Sequence, residues 1–255
     1  MKKVVGAILL SGLIPLGLLA PSFGKVRAAH SVTIPDLLRS HGVTQDHVVG
    51  TTYAAEALRV TPYDGSPDGK KHNFFFWRVS VCVQDGIFRY DNTDLNGPDS
   101  ESYLFDGTTY HHVAGERVLV SSAKGIGDSM SQFAEGRVRT FGLLPFLLQL
   151  ADPRTEAVYI ERTASGEDKL KVRSESGTWT LFSDESGLIR KIEVGGGAFV
   201  FSDYRSIKGL LLPFNERVFV NDRPFYELGF TRIDLRPEFG KDFFNPPEPS
   251  KQVAR

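Results

Sequence analysis

The sequence predicts a mainly β chain (α+β) built on an antiparallel sheet, with an apolar helix set into the curve of that sheet. Three stretches carry this reading. Residues 73–91 form a strand pair around a tight turn, residues 156–235 repeat short strands at regular spacing, and residues 139–151 are apolar nearly all round.

In the first stretch, Phe75, Trp77, Val79, Val81 and Val83 share one parity, and Phe74, Phe76, Arg78, Ser80 and Cys82 share the other. Side chains alternate across a strand, so one face is buried and the other mixed. Gln84-Asp85-Gly86 makes the turn, because Gly and Asp tolerate positive φ. Phe88 and Tyr90 then continue the buried face. So many large rings exceed what a small core needs and suggest a lined cavity, although for any single one the ordinary reading is a core residue.

The other elements follow in order. Pro35 sits near a helix start and Gly42 ends that helix. Thr51 to Thr61 reads as a strand with Glu56, Leu58 and Val60 on one side. Residues 62–71 and 92–101 read as loops. Tyr103-Leu104-Phe105, Asp106-Gly107 and Thr108 to Val113 form a second hairpin, and Val118 to Val120 a further strand. Residues 122–137 are polar and read as a connection. In the helix at about 139–151, Leu144, Leu147 and Leu148 need covering on several sides. In the meander, Val158 and Ile160 alternate with Tyr159 and Glu161, Trp179 and Leu181 with threonines, and Leu188, Ile192 and Val194 with Lys191 and Glu193. Gly195-Gly196-Gly197 makes a turn, and Phe199 and Phe201 take up the inward face.

Composition narrows the function. The chain has 255 residues, 41% of them hydrophobic, enough for one sizeable core, and its net charge of -1 with no basic patch argues against nucleic acid as a partner. Lys2 and Lys3 precede an apolar run to residue 20 and then small residues, a secretory signal pattern with cleavage after Gly24 or Ala28; the alternative is a retained anchor. The expected organisation is a leader at 1–28, a domain at 29–245 and a flexible tail at 246–255. The exported chain is then soluble, monomeric and periplasmic, with no stable membrane insertion. The one cysteine, Cys82, permits no internal disulfide and no Cys-rich metal site.

Enzymatic patterns do not assemble. Gly127-Asp128-Ser129-Met130 is similar to an esterase nucleophile block, but all six histidines precede Ser129. His111 and His112 are adjacent, so on a strand they face opposite ways and cannot chelate together. Gly195 to Gly197 is followed by strand pattern, which excludes a dinucleotide loop. No cofactor and no metal are expected. Arg190 shares the parity of Leu188 and Ile192. It either grips an anionic headgroup or reaches to the rim of the sheet.

Three local patterns carry a family resemblance: Phe105-Asp106-Gly107-Thr108-Thr109-Tyr110; Trp179 to Asp184 with Gly187 to Lys191; and Asp203 to Phe214, where Gly209 turns the chain and Pro213 enters the next strand. With the closing Phe244-Asn245-Pro246-Pro247, this order resembles the superfamily of lipoprotein-localisation carriers, the LolA/LolB-like proteins. The resemblance implies an incomplete antiparallel β-barrel, a half-barrel with helices on the concave side, whose apolar cavity takes acyl chains. Its motifs are structural, so no individual functional residue is carried over.

The resulting expectation is a non-enzymatic carrier for a lipid, acyl chain or lipidated protein. Phe75, Trp77, Val79, Phe88, Tyr90, Trp179, Leu181, Phe199 and Phe201 would line the cavity, Leu144, Leu147 and Leu148 would plug it, and Arg190 is the candidate headgroup contact. The alternative is an envelope interaction or sensor module that binds a protein partner and carries no lipid.

Overall fold

Tight turns fix the register of the sheet. Asp85 and Gly86, Gly195 and Gly196, Lys208 and Gly209, and Asn221 and Asp222 all have positive φ. Pairs of such residues make the two-residue turns whose twist matches that of the flanking strands. A computed structural model of the chain describes residues 31–44, 47, 52–63, 73–115, 117–122 and 129–245. The expected leader at 1–28, the tail at 246–255 and most of the 62–71 loop lie outside the described residues.

After α1 (Ile34–Ser40) come β1 (Thr52–Tyr63), β2 (Asn73–Gln84), β3 (Ile87–Asp94), β4 (Ser100–Phe105), β5 (Thr109–Ala114) and β6 (Arg117–Ser122). Helices α2 (Ser129–Arg139) and α3 (Leu144–Ala151) follow. The second half holds β7 (Glu156–Arg162), β8 (Asp168–Ser174), β9 (Gly177–Ser183), β10 (Ile189–Val194), β11 (Gly197–Ile207), β12 (Leu210–Val220) and β13 (Arg223–Leu235). All thirteen strands form one antiparallel sheet in the order β6-β5-β4-β3-β2-β1-β13-β12-β11-β10-β9-β8-β7. The two halves join where β1 pairs with β13, and β6 and β7 are left as edges. The sheet is an open half-barrel, as the family resemblance implies.

Its curvature follows from two rings five residues apart. Phe141 meets Tyr90 of β3 and Phe230 of β13, while Phe146 meets Trp179 of β9 and Phe199 of β11. Strands β3 and β9 are seven steps apart in the sheet order, about 34 Å if the sheet were flat. Only a sheet curled around α2 and α3 brings both strands to one short helical segment.

Several expectations are corrected. The polar stretch at 122–137 contains α2. The expected helix at 139–151 starts only at Leu144, where Pro145 occupies the first turn. Asn92 to Asp94 extend β3, and Ser100 and Glu101 begin β4, so the second loop shrinks to residues 95–99. In β1 the buried parity is Tyr53, Ala55 and Ala57, opposite to the side that carries Glu56, Leu58 and Val60; the small alanines make room for Phe141 and Phe230. In β7, Val158 and Ile160 face solvent and Tyr159 packs inward, since an edge strand has no neighbour to cover its outer face. A register shift between Ile189 and Lys191 puts Ile189, not Leu188, in the core.

A polar staple fastens α1 to the second half of the sheet. The capping box of Thr33 and Asp36 starts the helix. At its end, His41 is fully buried: Nδ1 donates to Leu211 O at 2.8 Å, and Nε2 accepts from Ile189 N at 3.0 Å. Those two bonds require the neutral ring protonated at Nδ1. Gly42 follows at φ +71, and an added Cβ there would sit 2.2 Å from the carbonyl oxygen of Gly209. Tyr204 donates to Ile189 O beside the same ring.

Burial lowers the pKa of His41 from its ordinary 6.5. The unfolded chain therefore binds the extra proton first, and stability falls as pH drops below about 6.5. His41→Ala should cost about 3 kcal/mol at neutral pH, seen as a lower urea midpoint, and should flatten that acid limb in unfolding measured from pH 7 to 5.

Candidate ligand site

The inner face is built from cross-strand rows. Val83, Phe88, Phe105 and Tyr110 form one row and Val81, Tyr90, Tyr103 and His112 the next. Val79, Asn92 and Glu101 follow, and then Arg59 opposite Trp77 on one side and Leu228 on the other. Leu228 pairs with Glu216, which pairs with Phe201. The face thus grades from aromatic near the β2–β3 turn to a polar band further along β1.

Most of the expected cavity residues fill space instead of bordering it. Val79, Phe88, Tyr90, Leu147, Trp179, Leu181, Phe199 and Phe201 are buried and belong to one continuous core with Phe141, Leu143, Phe146 and Leu150 from the helical segment. The expectation that the helices leave the interior partly empty is thereby narrowed: open space lies at the margins of the helical segment. Leu144 borders only a crevice of about 10 Å³ beside Phe230. There Gly142, at φ +79, lets the chain pass Phe230, because a Cβ would meet that ring at 3.0 Å.

Among the described residues, two open clefts border the helical segment, and a third of about 290 Å³ lies among Arg89, Ser102, Leu104, Val113 and Asn245. The larger of the two, about 530 Å³, has an apolar wall of Tyr53, Val83, Val138, Pro145 and Leu148 and a polar rim of Arg139, Gln149, Asp152, Thr155 and the β8–β9 turn at Ser174–Ser176. The smaller, about 300 Å³, is lined by Arg59, Thr61, Phe75, Trp77, Arg137, Phe225 and Tyr226. The first volume falls in the range of small-molecule sites and the second at its lower limit. The clefts meet opposite ends of β1, eight residues apart or about 27 Å. The last turn of α2 touches both, Arg137 lining one and Val138 and Arg139 the other. Of the expected residues, Leu148 lines the larger cleft and Phe75 and Trp77 the smaller. Phe75 is 41% exposed, so it forms an open rim.

Arg190, the candidate headgroup contact, lies elsewhere. It pairs with Asp184 at 2.7 Å and stacks over Tyr204. His111 and His112 diverge as expected, toward Asp106 and Glu101 respectively. Ser129 opens α2. Among the described residues, no group of three or more His, Cys, Asp or Glu side chains is placed to hold a metal.

The polar band was missed in the sequence. Arg59 stacks on Trp77 at 5.2 Å, and its Nε is buried without a hydrogen-bond partner. Arg137 and Glu101 both act on its charge. Asn92 donates to Glu101 at 3.0 Å, and Tyr103 donates to the same carboxylate at 3.1 Å. Glu216 is fully buried and neither carboxylate oxygen makes a well-formed hydrogen bond; the Gly142 backbone offsets only a little of the cost of burial. Burial raises its pKa to about 8, so the protonated form dominates at neutral pH. The signal for Glu216 was present: it shares the parity of Leu212, Phe214 and Val218, an acid on an apolar face. The signal for Arg59 was hidden because β1 is apolar on both parities.

Across these groups the folded chain holds the Glu216 proton that the unfolded chain releases near pH 4.5. Stability should therefore decline as pH rises from about 4.5 to about 8. Glu216→Gln should remove that decline and be the more stable protein at pH 9, by on the order of a few kcal/mol, in paired denaturation series.

No family model matches the chain, and no curated protein matches it. Solved structures do. A LolA superfamily protein from Nitrosomonas europaea aligns at 13% identity over 83% of this chain and 97% of its own, with a TM-score of 0.52. A DUF1329 family protein from Desulfovibrio piger aligns at 13% identity over 83% of this chain and 95% of its own, with a TM-score of 0.50. The fold is LolA-like.

Proposed function

We propose that this chain is a non-enzymatic binding or carrier protein that holds an acyl chain or similar amphiphile beneath the α2–α3 segment. The observation that carries the reading is the 530 Å³ cleft beside those helices, whose apolar wall of Tyr53, Val83, Val138 and Leu148 is the edge of the continuous core. The LolA-like fold supports it.

Connectivity supplies a way in. α2 and α3 lie in the connection between β6 and β7, the two edges of the sheet. That segment crosses the open side of the half-barrel, and moving it breaks no strand ladder. Its ties are peripheral: Tyr110 donates to Glu135 of α2, and Ser174 and Ser176 donate to Gln149 of α3. The start of α3 has no side-chain cap. Each methylene moved from water into the core is worth about 0.8 kcal/mol, so a long chain can offset displacement of Leu148 and its neighbours.

Under this reading the leader directs export and the protein works in the periplasm. Among the described residues, no helix is long and apolar enough to cross a membrane. A second reading rests on the two edges. Leu119 and Val120 on β6 and Val158 and Ile160 on β7 are exposed on the two edge strands, each paired on one side only, a surface suited to strand addition by a protein partner.

Delipidated protein titrated with a fluorescent fatty acid should show saturable binding. Leu148→Asp, which puts a charge at the cleft, should weaken it about tenfold or more while leaving the far-UV spectrum unchanged. Absence of saturable binding, together with stable capture of a protein by the wild type but not by a Val158→Lys/Ile160→Lys variant, would favour the edge reading.

A further inference from the structure

The smaller cleft combines features that the acyl-chain reading does not use. Two guanidinium-bearing side chains, Arg59 from β1 and Arg137 from α2, converge on a space of about 300 Å³ walled by Phe75, Trp77, Phe225 and Tyr226. Arg59 is held in place from one side: it lies opposite Trp77 in the β1–β2 register and stacks on the indole at 5.2 Å. Stacking spends the π face of the guanidinium and leaves its edge for hydrogen bonding. That edge is unfulfilled, because Nε is buried without a partner. A buried N–H on a cation that lacks an acceptor is costly unless something supplies one.

Glu101 is the carboxylate that acts on Arg59, and it already accepts from Asn92 and Tyr103. Glu216, one residue beyond Leu228 in the same cross-strand row, is protonated at neutral pH and adds no negative charge. Arg59 therefore brings a guanidinium with an unsatisfied donor to the wall of the cleft, among aromatic side chains.

We propose that this cleft binds the anionic group of the amphiphile, a phosphate or carboxylate, between Arg59 and Arg137, with Trp77 and Phe225 covering the first carbons of its chain. The inference rests on the amphiphile reading above. Arg137, in the last turn of α2, borders this cleft, while its neighbours Val138 and Arg139 border the larger one. Planar guanidinium groups favour phosphate and carboxylate through paired N–H···O bonds.

Three probes separate the sources of the anion: dodecyl phosphate, dodecanol and inorganic phosphate, each titrated into delipidated protein and followed by tryptophan fluorescence and calorimetry. Dodecyl phosphate is expected to bind about tenfold or more tighter than dodecanol. Arg59→Gln should erase that margin without changing dodecanol affinity, and Arg59→Lys should restore part of it. Thermal melts check that both variants fold; if Arg59→Gln does not, Arg137→Gln is read in its place. Equal affinities for the two dodecyl probes, unaffected by Arg59→Gln, would overturn the headgroup site and leave the acyl-chain reading standing. Inorganic phosphate binding as tightly as dodecyl phosphate would show an anion site independent of any lipid. Failure of every probe to bind would remove both readings.

Discussion

The structure depends on the packing of one short helical segment into the hollow of one long sheet. Thirteen antiparallel strands with a right-handed twist do not stay flat, and the direction of their curl is fixed by what the inner face must cover. Phe141 and Phe146 reach strands that would be tens of ångströms apart in a flat sheet. The sheet closes around them far enough to form a core, but not far enough to pair β6 with β7.

That incomplete closure makes the interior accessible in principle. A closed barrel admits a guest only through its ends, whereas an open side gives access along its length. Here the open side is crossed by α2 and α3, which are held by side-chain hydrogen bonds at their margins and by apolar contact beneath. Apolar contact is non-directional, so an acyl chain can replace the leucines of α3 with little loss per unit area. The packed interior and the amphiphile reading are compatible because the helices occupy the space that a guest would take.

The polar band gives the same hollow a direction. Charged and polar groups in an apolar core are costly, and Arg59, Asn92, Glu101 and Glu216 lie in adjacent rows instead of being scattered. Glu216 meets the cost by keeping its proton. Arg59 meets part of it by stacking on Trp77. The inner face is thereby aromatic near the β2–β3 turn and polar further along β1, an arrangement suited to a molecule that is itself apolar at one end and polar at the other.

Much of this was written in the chain. Alternation in 73–91 placed Val79, Val81, Val83, Phe88 and Tyr90 on the buried face, the paired turn residues at Asp85-Gly86 and Gly195-Gly196 located hairpins, and three local motifs pointed to a LolA-like half-barrel; each depends only on neighbours within a few residues. Tertiary structure decided the rest. Strand β1 is apolar on both parities, so only contact with Phe141 and Phe230 selects Tyr53, Ala55 and Ala57 as its inner face. The bulge at Ile189 exchanged one inward residue for another, and α2 has too weak an apolar pattern to announce itself without the sheet it packs on. The clefts, and the meeting of Arg59 with Arg137, arise between residues far apart in sequence, and periodicity within one segment carries no information about which segments face each other across a fold.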